Sequence, residues 1–400
     1  LDAEQLRGVL RGLDTLEPRL PLNAVQIDAG YFPHAGDWLE PGALFPQGLR
    51  AAFDDIRAAG YTPGIWIAPF MVGNRSRLYA EHPDWMLRKR ESGLVTPWKM
   101  YNEPKVWGYQ DEEYYVLDTS HPDAMAHLLG VLRALREMGA GFFKTDFLLW
   151  GIQPTDEVVR YAPGKTSVQY YRDLMRGIRA AIGDSYWLGC IAPFLPMLGF
   201  ADGMRIAGDV GAQWEEDGFG PASLLHEIVA DSYLNGVYWQ SDPDALLLRD
   251  RHLFLSPTEI ESLALLQAVS GGAVYTSEDM ALLPAERLAL FRFLQPDAVH
   301  RPDTPFLDKA EKAVCFVHRL GERRLVFLLN PTGEPLDLCY PLRELTGDDS
   351  LYLRPYHGQP TAERRELVTG RLAPHGALLL FGHTGRAIAR EPQNLWSWEA

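Results

Sequence analysis

The chain is poor in cysteine. Three residues in 400, Cys190, Cys315 and Cys339, are too few and too far apart for a disulfide framework, which favours a reducing compartment. A cytoplasmic location is therefore expected. No run of about 18 or more apolar residues occurs, so no membrane-spanning helix is expected. Positive charge is in deficit, 38 Lys and Arg against 53 Asp and Glu, a formal net charge of -15. That balance argues against nucleic acid and against an anionic membrane as partners, because both need clustered cations. A neutral small molecule fits better. No His or Cys pair stands at metal-ligand spacing, so neither a metal nor a cofactor is expected. The chain begins at Leu1 with neither an initiator Met nor a basic, apolar leader, which leaves open a removed leader or a missing upstream region.

With 46% hydrophobic residues the chain is long enough for a large barrel and a small accessory domain. From about Asn23 to Leu294, short β-prone runs alternate with longer helix-prone ones, the pattern of βα units around a parallel sheet. Strands are expected at Ala24 to Asp28, Thr62 to Pro69, Tyr115 to Asp118, Gly141 to Asp146, Tyr186 to Cys190, Met204 to Ile206, Val237 to Gln240 and Ala273 to Thr276. The intervening amphipathic helices are expected at Leu49 to Ala59, Ala124 to Met138, Ser167 to Ile182, Ala222 to Asn235 and Thr258 to Ser270, with a closing one near Ala285 to Leu294. Eight such strands predict an α/β fold, a closed (β/α)8 TIM barrel over residues 1–300. Beyond Arg301 the helical spacing gives way to short strands and turns, predicting a small antiparallel C-terminal β-sandwich over 301–390. A tail over 391–400 follows, in which Trp396 and Trp398 are expected to dock on a surface.

Two runs carry the chemistry: Phe142-Phe143-Lys144-Thr145-Asp146-Phe147, and Gly203-Met204-Arg205-Ile206-Ala207-Gly208-Asp209. Strand alternation puts Lys144 and Asp146 on one face and Phe143, Thr145 and Phe147 on the other. An ionisable pair inside an apolar strand suggests a site, and two such strands suggest two carboxylates facing one substrate. Paired carboxylates are what glycosidic bond cleavage requires. Asp28, Asp118, Asp146, Asp209, Asp242 and Asp279 all fall at or after strand ends, the rim where barrel enzymes act. A plainer reading of each is a cap on the following helix. Such an acidic mouth suits a positively charged, oxocarbenium-like transition state.

These residues resemble the family 36 glycoside hydrolases, the compact prokaryotic α-galactosidases of clan D. The resemblance rests on Gln26-Ile27-Asp28, Gly36-Asp37-Trp38, Gly64-Ile65-Trp66-Ile67-Ala68-Pro69-Phe70, His82-Pro83-Asp84-Trp85, Phe143-Lys144-Thr145-Asp146-Phe147-Leu148, Leu188-Gly189-Cys190, Asp202-Gly203-Met204-Arg205-Ile206 and Asp242-Pro243-Asp244, in family order. It implies that Asp146 is the nucleophile and Asp209 the general acid/base, with Asp28, Trp66, Lys144, Cys190 and Arg205 lining the sugar subsite. Terminal α-galactosides would then be hydrolysed with retention through a covalent glycosyl-enzyme. Lys144 is expected to favour the charged form of Asp146, while Asp209 starts protonated. Trp66 is expected to offer an aromatic wall, and Lys144 and Arg205 to donate to sugar hydroxyls. Plainer readings stand beside these: Trp66 as barrel filler, Cys190 as an inert small residue, and Arg205 as the neutraliser of Asp202 or Asp209. The segment with His82 and Trp85 reads as structural.

Two departures from the family pattern matter. Relatives carry two adjacent Asp residues after the first strand to bind O4 and O6, but here the second is Ala29. An α-glycoside of another sugar, such as an α-glucoside, is therefore the rival substrate. Relatives also place a large β-sandwich before the barrel, whereas this chain starts almost at its first strand. Either the site is more open, or a lid comes from another subunit of a homo-oligomer. A transglycosylase using the same carboxylates and a non-catalytic carbohydrate-binding barrel are the other readings, and a phosphate-handling barrel is disfavoured by the acidic rim.

Overall fold

The computed structural model of the chain describes residues 1–101, 112–215, 220–307, 312–358 and 363–399. They fall into two compact units, Leu1–Met204 and Arg205–Ala400. The first opens on a helix, Ala3–Asp14, that the strand-first reading did not anticipate. Asp2 and Gln5 cap it reciprocally, and Leu6, Leu10 and Leu13 are buried at helical spacing. The signal was present in the sequence.

A parallel sheet follows, in the order β1 (Ala24–Ile27), β2 (Thr62–Ile67), β3 (Phe142–Thr145), β4 (Tyr186–Gly189) and β5 (Gly203–Arg205). Arg205, the last residue of β5, begins the second unit. Register places Ile27 opposite Ile65, Trp66 opposite Lys144, and Thr145 opposite Gly189. Gly64 permits this approach, since a Cβ there would lie 2.8 Å from the Phe142 ring and 3.1 Å from the Gln26 Cα. The connecting helices Gly48–Ala58, Pro122–Met138 and Ser167–Ile182 bury one face each; in the last, Tyr170, Tyr171, Leu174, Met175, Ile178, Ala181 and Ile182 are the inward set.

One expected barrel strand is placed differently. The run predicted at Tyr115 to Asp118 forms a strand at Glu113–Val116 that pairs antiparallel with Met71–Gly73 and Trp98–Lys99, outside the parallel order. The edge of β2 is already taken by β3, so Tyr114-Tyr115-Val116 finds its partners elsewhere. Strand propensity marks a residue run as β without naming its neighbour.

In the second unit a strand runs over Gln240–Asp242 instead of Val237 to Gln240. Gly236, at φ 68, turns the chain first and donates its N–H to the Trp239 carbonyl at 2.8 Å. Ala245–Leu246 pairs in parallel with Tyr275–Thr276. The helix Pro257–Val269 is buried on every face from Ser262 to Val269, so it is a core helix where an amphipathic one was expected. Helices Pro221–Asp231 and Ala285–Phe293 complete the α/β portion.

The C-terminal region is antiparallel as expected. Val314–Leu320, Arg323–Leu329, Ala377–His383, Leu351–Pro355 and Arg364–Arg365 form one sheet in that order, and Leu336–Pro341 pairs with Leu367–Leu372 in another. Val317, Val326, Leu328, Leu342 and Leu351 lie at the centre of its core. The tail docks: Arg323 donates to the carbonyls of Trp396 and Trp398 at 3.1 and 2.9 Å, and His300 stacks on Trp396 at 4.0 Å. Its last residue, Ala400, lies outside the described residues. Among the described residues no helix is long and apolar enough to cross a membrane.

Candidate active site

In the first unit, the ladder continues one residue past β3 and β4. Asp146 donates its N–H to the Ile67 carbonyl at 2.9 Å, and Cys190 donates to that of Thr145 at 2.8 Å. Asp146 and Cys190 therefore leave neighbouring strands at one level, at the carboxyl ends where parallel α/β folds place their chemistry. Phe147 then adopts φ 53, a left-handed turn that brings its own N–H back onto Asp146 Oδ1 at 2.7 Å. The same turn breaks the alternation expected of Phe147. Its ring lies 6.5 Å from Trp66 and 5.8 Å from Trp98, while Thr145, on the opposite strand face, accepts from the Trp187 indole at 2.7 Å.

Trp66 Nε1 donates to the second Asp146 oxygen, Oδ2, at 3.0 Å. Asp146 is only 8% exposed, and both of its oxygens have a donor. Hydrogen bonds to an ionised group are shorter and stronger than neutral ones, so this pair fixes a carboxylate in one orientation. The Trp66 ring is 3% exposed, stacked on Phe32 at 5.9 Å and edge-on to Trp38 at 6.0 Å. Expected as a wall, Trp66 thus contributes a hydrogen bond from a packed aromatic cluster.

Lys144 donates to Asp28 Oδ2 at 3.0 Å. The cation on the Asp146 strand thus holds Asp28, just past the end of β1. Asp28 also accepts from Gln26 Nε2 and from the Ala29 N–H at 2.8 Å, and its side chain remains 53% exposed. Cys190 is buried at 2% exposure, and all three cysteines are free.

In the second unit, Arg205 organises three carboxylates. Its Nη1 donates to Asp209 Oδ1 at 3.0 Å, its Nε to Asp242 Oδ2 at 2.9 Å, and its Nη2 lies 2.8 Å from Asp244 Oδ1. Asp242 is 1% exposed, whereas the Asp209 side chain is 57% exposed. Among the described residues, the hydrogen bond to the Asp209 carboxylate falls on Oδ1. The loop is held from behind: Asp244 Oδ2 accepts from the Val210 N–H at 2.6 Å, Glu227 from the Gly208 N–H at 2.6 Å, and buried Gln267 clamps the Pro243 and Asp244 carbonyls at 3.1 Å each. Asp202, the other partner considered for Arg205, pairs instead with Arg179 at 2.6 Å.

Sequence reasoning missed Gln267, Glu227 and the supporting role of Asp244. Gln267 was visible as the one polar residue in Leu265-Leu266-Gln267-Ala268-Val269, since a buried amide needs partners. Among the acidic residues singled out, Asp118 and Asp279 do structural work. Asp118 accepts from the Tyr161 and Ser120 N–H groups at 2.7 and 3.0 Å and pairs with Arg160, while Asp279 caps a 3-10 turn. His82 stacks on Trp85 at 3.8 Å, and Asp37 accepts from the Arg77 and Leu78 N–H groups at 2.9 and 3.1 Å.

Residues 26–148 match the Melibiase family. An α-galactosidase of Escherichia coli is 30% identical over 144 residues, which is 35% of this chain and 18% of that protein. The chain thus spans less than a fifth of the curated relatives it first matches, a second being α-galactosidase 2 of Pediococcus pentosaceus at 26% identity and 17% of its length. Among solved structures, the Thermus thermophilus α-galactosidase TtGalA in complex with p-nitrophenyl α-D-galactopyranoside is 28% identical with a TM-score of 0.64, covering 82% of this chain and 62% of that one. The GH27 β-L-arabinopyranosidase of Geobacillus stearothermophilus shares the fold at 14% identity, with a TM-score of 0.72 over 96% of this chain and 93% of its own.

Proposed function

We propose that this chain is a retaining exo-α-glycosidase of glycoside hydrolase family 36 that hydrolyses terminal α-galactosides. The observation that carries the reading is Asp146: a buried carboxylate at a parallel strand end, both oxygens held, within the stretch similar to Melibiase. A nucleophile of this kind must be ionised and must not rotate, and two directed donors meet both needs. Asp209 is the acid/base. Anchored through Oδ1 by Arg205 and more than half exposed, it gives a proton to the departing oxygen and then takes one from water. Double displacement needs the two carboxyl groups about 5 to 5.5 Å apart across the anomeric carbon.

Asp28, with Lys144 and Gln26 holding its Oδ2, is the proposed acceptor for sugar hydroxyls, and Trp66, Lys144, Cys190 and Arg205 are the further substrate-binding residues of the proposal. Ala29 supports the rival reading, an α-glycoside of another sugar, because one acceptor for O4 and O6 is missing. Transfer to a sugar acceptor would use the same residues. The proposal includes a closed (β/α)8 barrel over 1–300, a C-terminal β-sandwich over 301–390, a cytoplasmic location, an oligosaccharide substrate and a homo-oligomeric assembly. A panel of p-nitrophenyl α-glycosides differing at C4 and C6, with the product anomer followed by NMR, tests it. The α-anomer should appear first on the galactoside, whereas β-anomer first, or no turnover of any member, would overturn the mechanism.

A further inference from the structure

From Gly208 to Trp214 the segment carrying Asp209 is tied down at alternate residues. Gly208 donates its N–H to Glu227 at 2.6 Å and Val210 to Asp244 Oδ2 at 2.6 Å. The Ala212 carbonyl accepts from the Phe254 N–H at 2.7 Å, and that of Trp214 from the Ala222 N–H at 3.1 Å. Asp209 stands between the first two ties with its side chain 57% exposed. Trp214 adds an anchor through its side chain, for it is 7% exposed and its ring lies flat on the His375 imidazole, centroids 4.0 Å apart and planes 9° from parallel.

His375 comes from the antiparallel region, in the turn between Leu367–Leu372 and Ala377–His383. The turn holds it at φ 55, left-handed backbone that glycine would supply at no steric cost. His is among the few other residues that enter this region with any frequency, and such strain persists only where the surroundings over-determine it. They do so here. The His375 Nδ1 faces Glu259 Oε1 at 2.7 Å, and because a carboxylate only accepts, Nδ1 carries a proton. Glu259 is itself fixed, as the capping partner of Ser256 at the start of helix Pro257–Val269. The imidazole is thereby locked in the plane on which Trp214 stacks. Both of these partners, Glu259 and Trp214, lie outside the antiparallel sheets that His375 connects.

We infer that His375 is a positioning residue for Asp209: from the C-terminal region it fixes Trp214, and through the segment between them it limits how far the Asp209 carboxyl group can swing. The inference rests on the hydrolase reading above and gives the C-terminal region a part in the reaction. A proton donor works only within hydrogen-bond reach of the departing oxygen. Its misplacement is felt in proportion to the basicity of the leaving group. An alkoxide departs poorly without a proton, whereas p-nitrophenolate leaves readily on its own.

The test compares wild type with His375→Gly and Trp214→Leu on the p-nitrophenyl and the methyl α-glycoside of the sugar that the wild type prefers. Glycine keeps the left-handed turn and removes the ring, while Trp214→Leu cuts the same contact from the other side and stands by itself should the first variant fail to fold. On the methyl glycoside kcat/KM should fall roughly ten- to hundredfold in each, and on the p-nitrophenyl glycoside stay within about threefold. Trp214→Phe keeps a ring that can stack and should restore most of what Trp214→Leu loses. Losses as large on the p-nitrophenyl as on the methyl substrate, whatever the unfolding midpoint does, would make the contact structural only and overturn the inference while leaving the hydrolase intact. No loss on either substrate, or Trp214→Phe as impaired as Trp214→Leu, would overturn it equally. A wild-type protein inactive on every α-glycoside of the panel would overturn the hydrolase reading and this inference together.

Discussion

Trp66 and Asp146 sit on neighbouring strands, and the indole of the first donates to the carboxylate of the second at 3.0 Å from within a packed aromatic cluster. The donor cannot drift, because Phe32 and Trp38 hold its ring. A preorganised donor of this kind costs no rearrangement at the moment of reaction.

Trp66→Phe keeps most of the packing and removes that donor. A hydrogen bond to a charged group contributes about 1.5–3 kcal/mol, so kcat/KM should fall roughly ten- to hundredfold. Steady-state kinetics on an aryl α-galactoside checks this. Unchanged turnover would reduce Trp66 to barrel filling.

Asp28 and Lys144 should separate binding from stability. The Asp28 side chain is 53% exposed, so breaking the pair with Asp28→Asn should cost under about 1 kcal/mol of stability. If Asp28 holds sugar hydroxyls, the same change should raise KM by about tenfold on the preferred sugar and narrow the difference among glycosides that differ in configuration at C4 or in the hydroxyl at C6. A KM equal to wild type across the panel would remove Asp28 from the subsite.

Much of this was legible in the sequence, and the exceptions share a cause. β1 to β5 begin within a residue or so of where alternation and β-propensity put them, because Val25, Ile65, Phe143 and Leu188 lie in short apolar runs with few other uses. The segment at Tyr115 was legible as a strand but not as an antiparallel one, since partner choice depends on which edges are already filled. The turn at Phe147 was hidden because a Phe in left-handed backbone is unusual and strand periodicity assumes the strand goes on. Spacing alone could not show that the long, flexible Lys144 side chain also reaches past β2 to Asp28, at the end of β1.

Arg205 and Asp209 should differ in kind. Arg205→Met leaves Asp242 and Asp244, whose side chains are 1% and 12% exposed, without their cation, and stranding buried carboxylates costs about 3–5 kcal/mol. Asp209→Ala removes a 57% exposed group and should stay within about 0.5 kcal/mol of wild type while turnover of poor leaving groups collapses. Guanidinium unfolding midpoints beside kcat decide between them. An Asp209→Ala protein as destabilised as Arg205→Met would mark Asp209 as structural.

His318 sets an acid limit on the C-terminal sheet. It lies on the strand Val314–Leu320, and because its Nε2 faces the Val269 carbonyl at 2.7 Å, that nitrogen carries the proton of the neutral ring. Burial, the largest influence, and the neighbouring His300 lower its pKa against the opposing backbone at Val269 and Arg301 and the Asp303 carboxylate, and the balance takes it from the ordinary 6.5 down to about 4. Between those two values the unfolded chain binds a proton that the folded chain refuses. The stabilisation is therefore complete above pH 6.5 and is lost as pH falls toward about 4, an effect on the order of 3 kcal/mol. His318→Gln cannot take up the proton, so its deficit relative to wild type should be largest near neutrality and shrink through that window. Unfolding midpoints measured from pH 7.5 to 4 would follow parallel lines for the two proteins if the buried imidazole were not the group responsible.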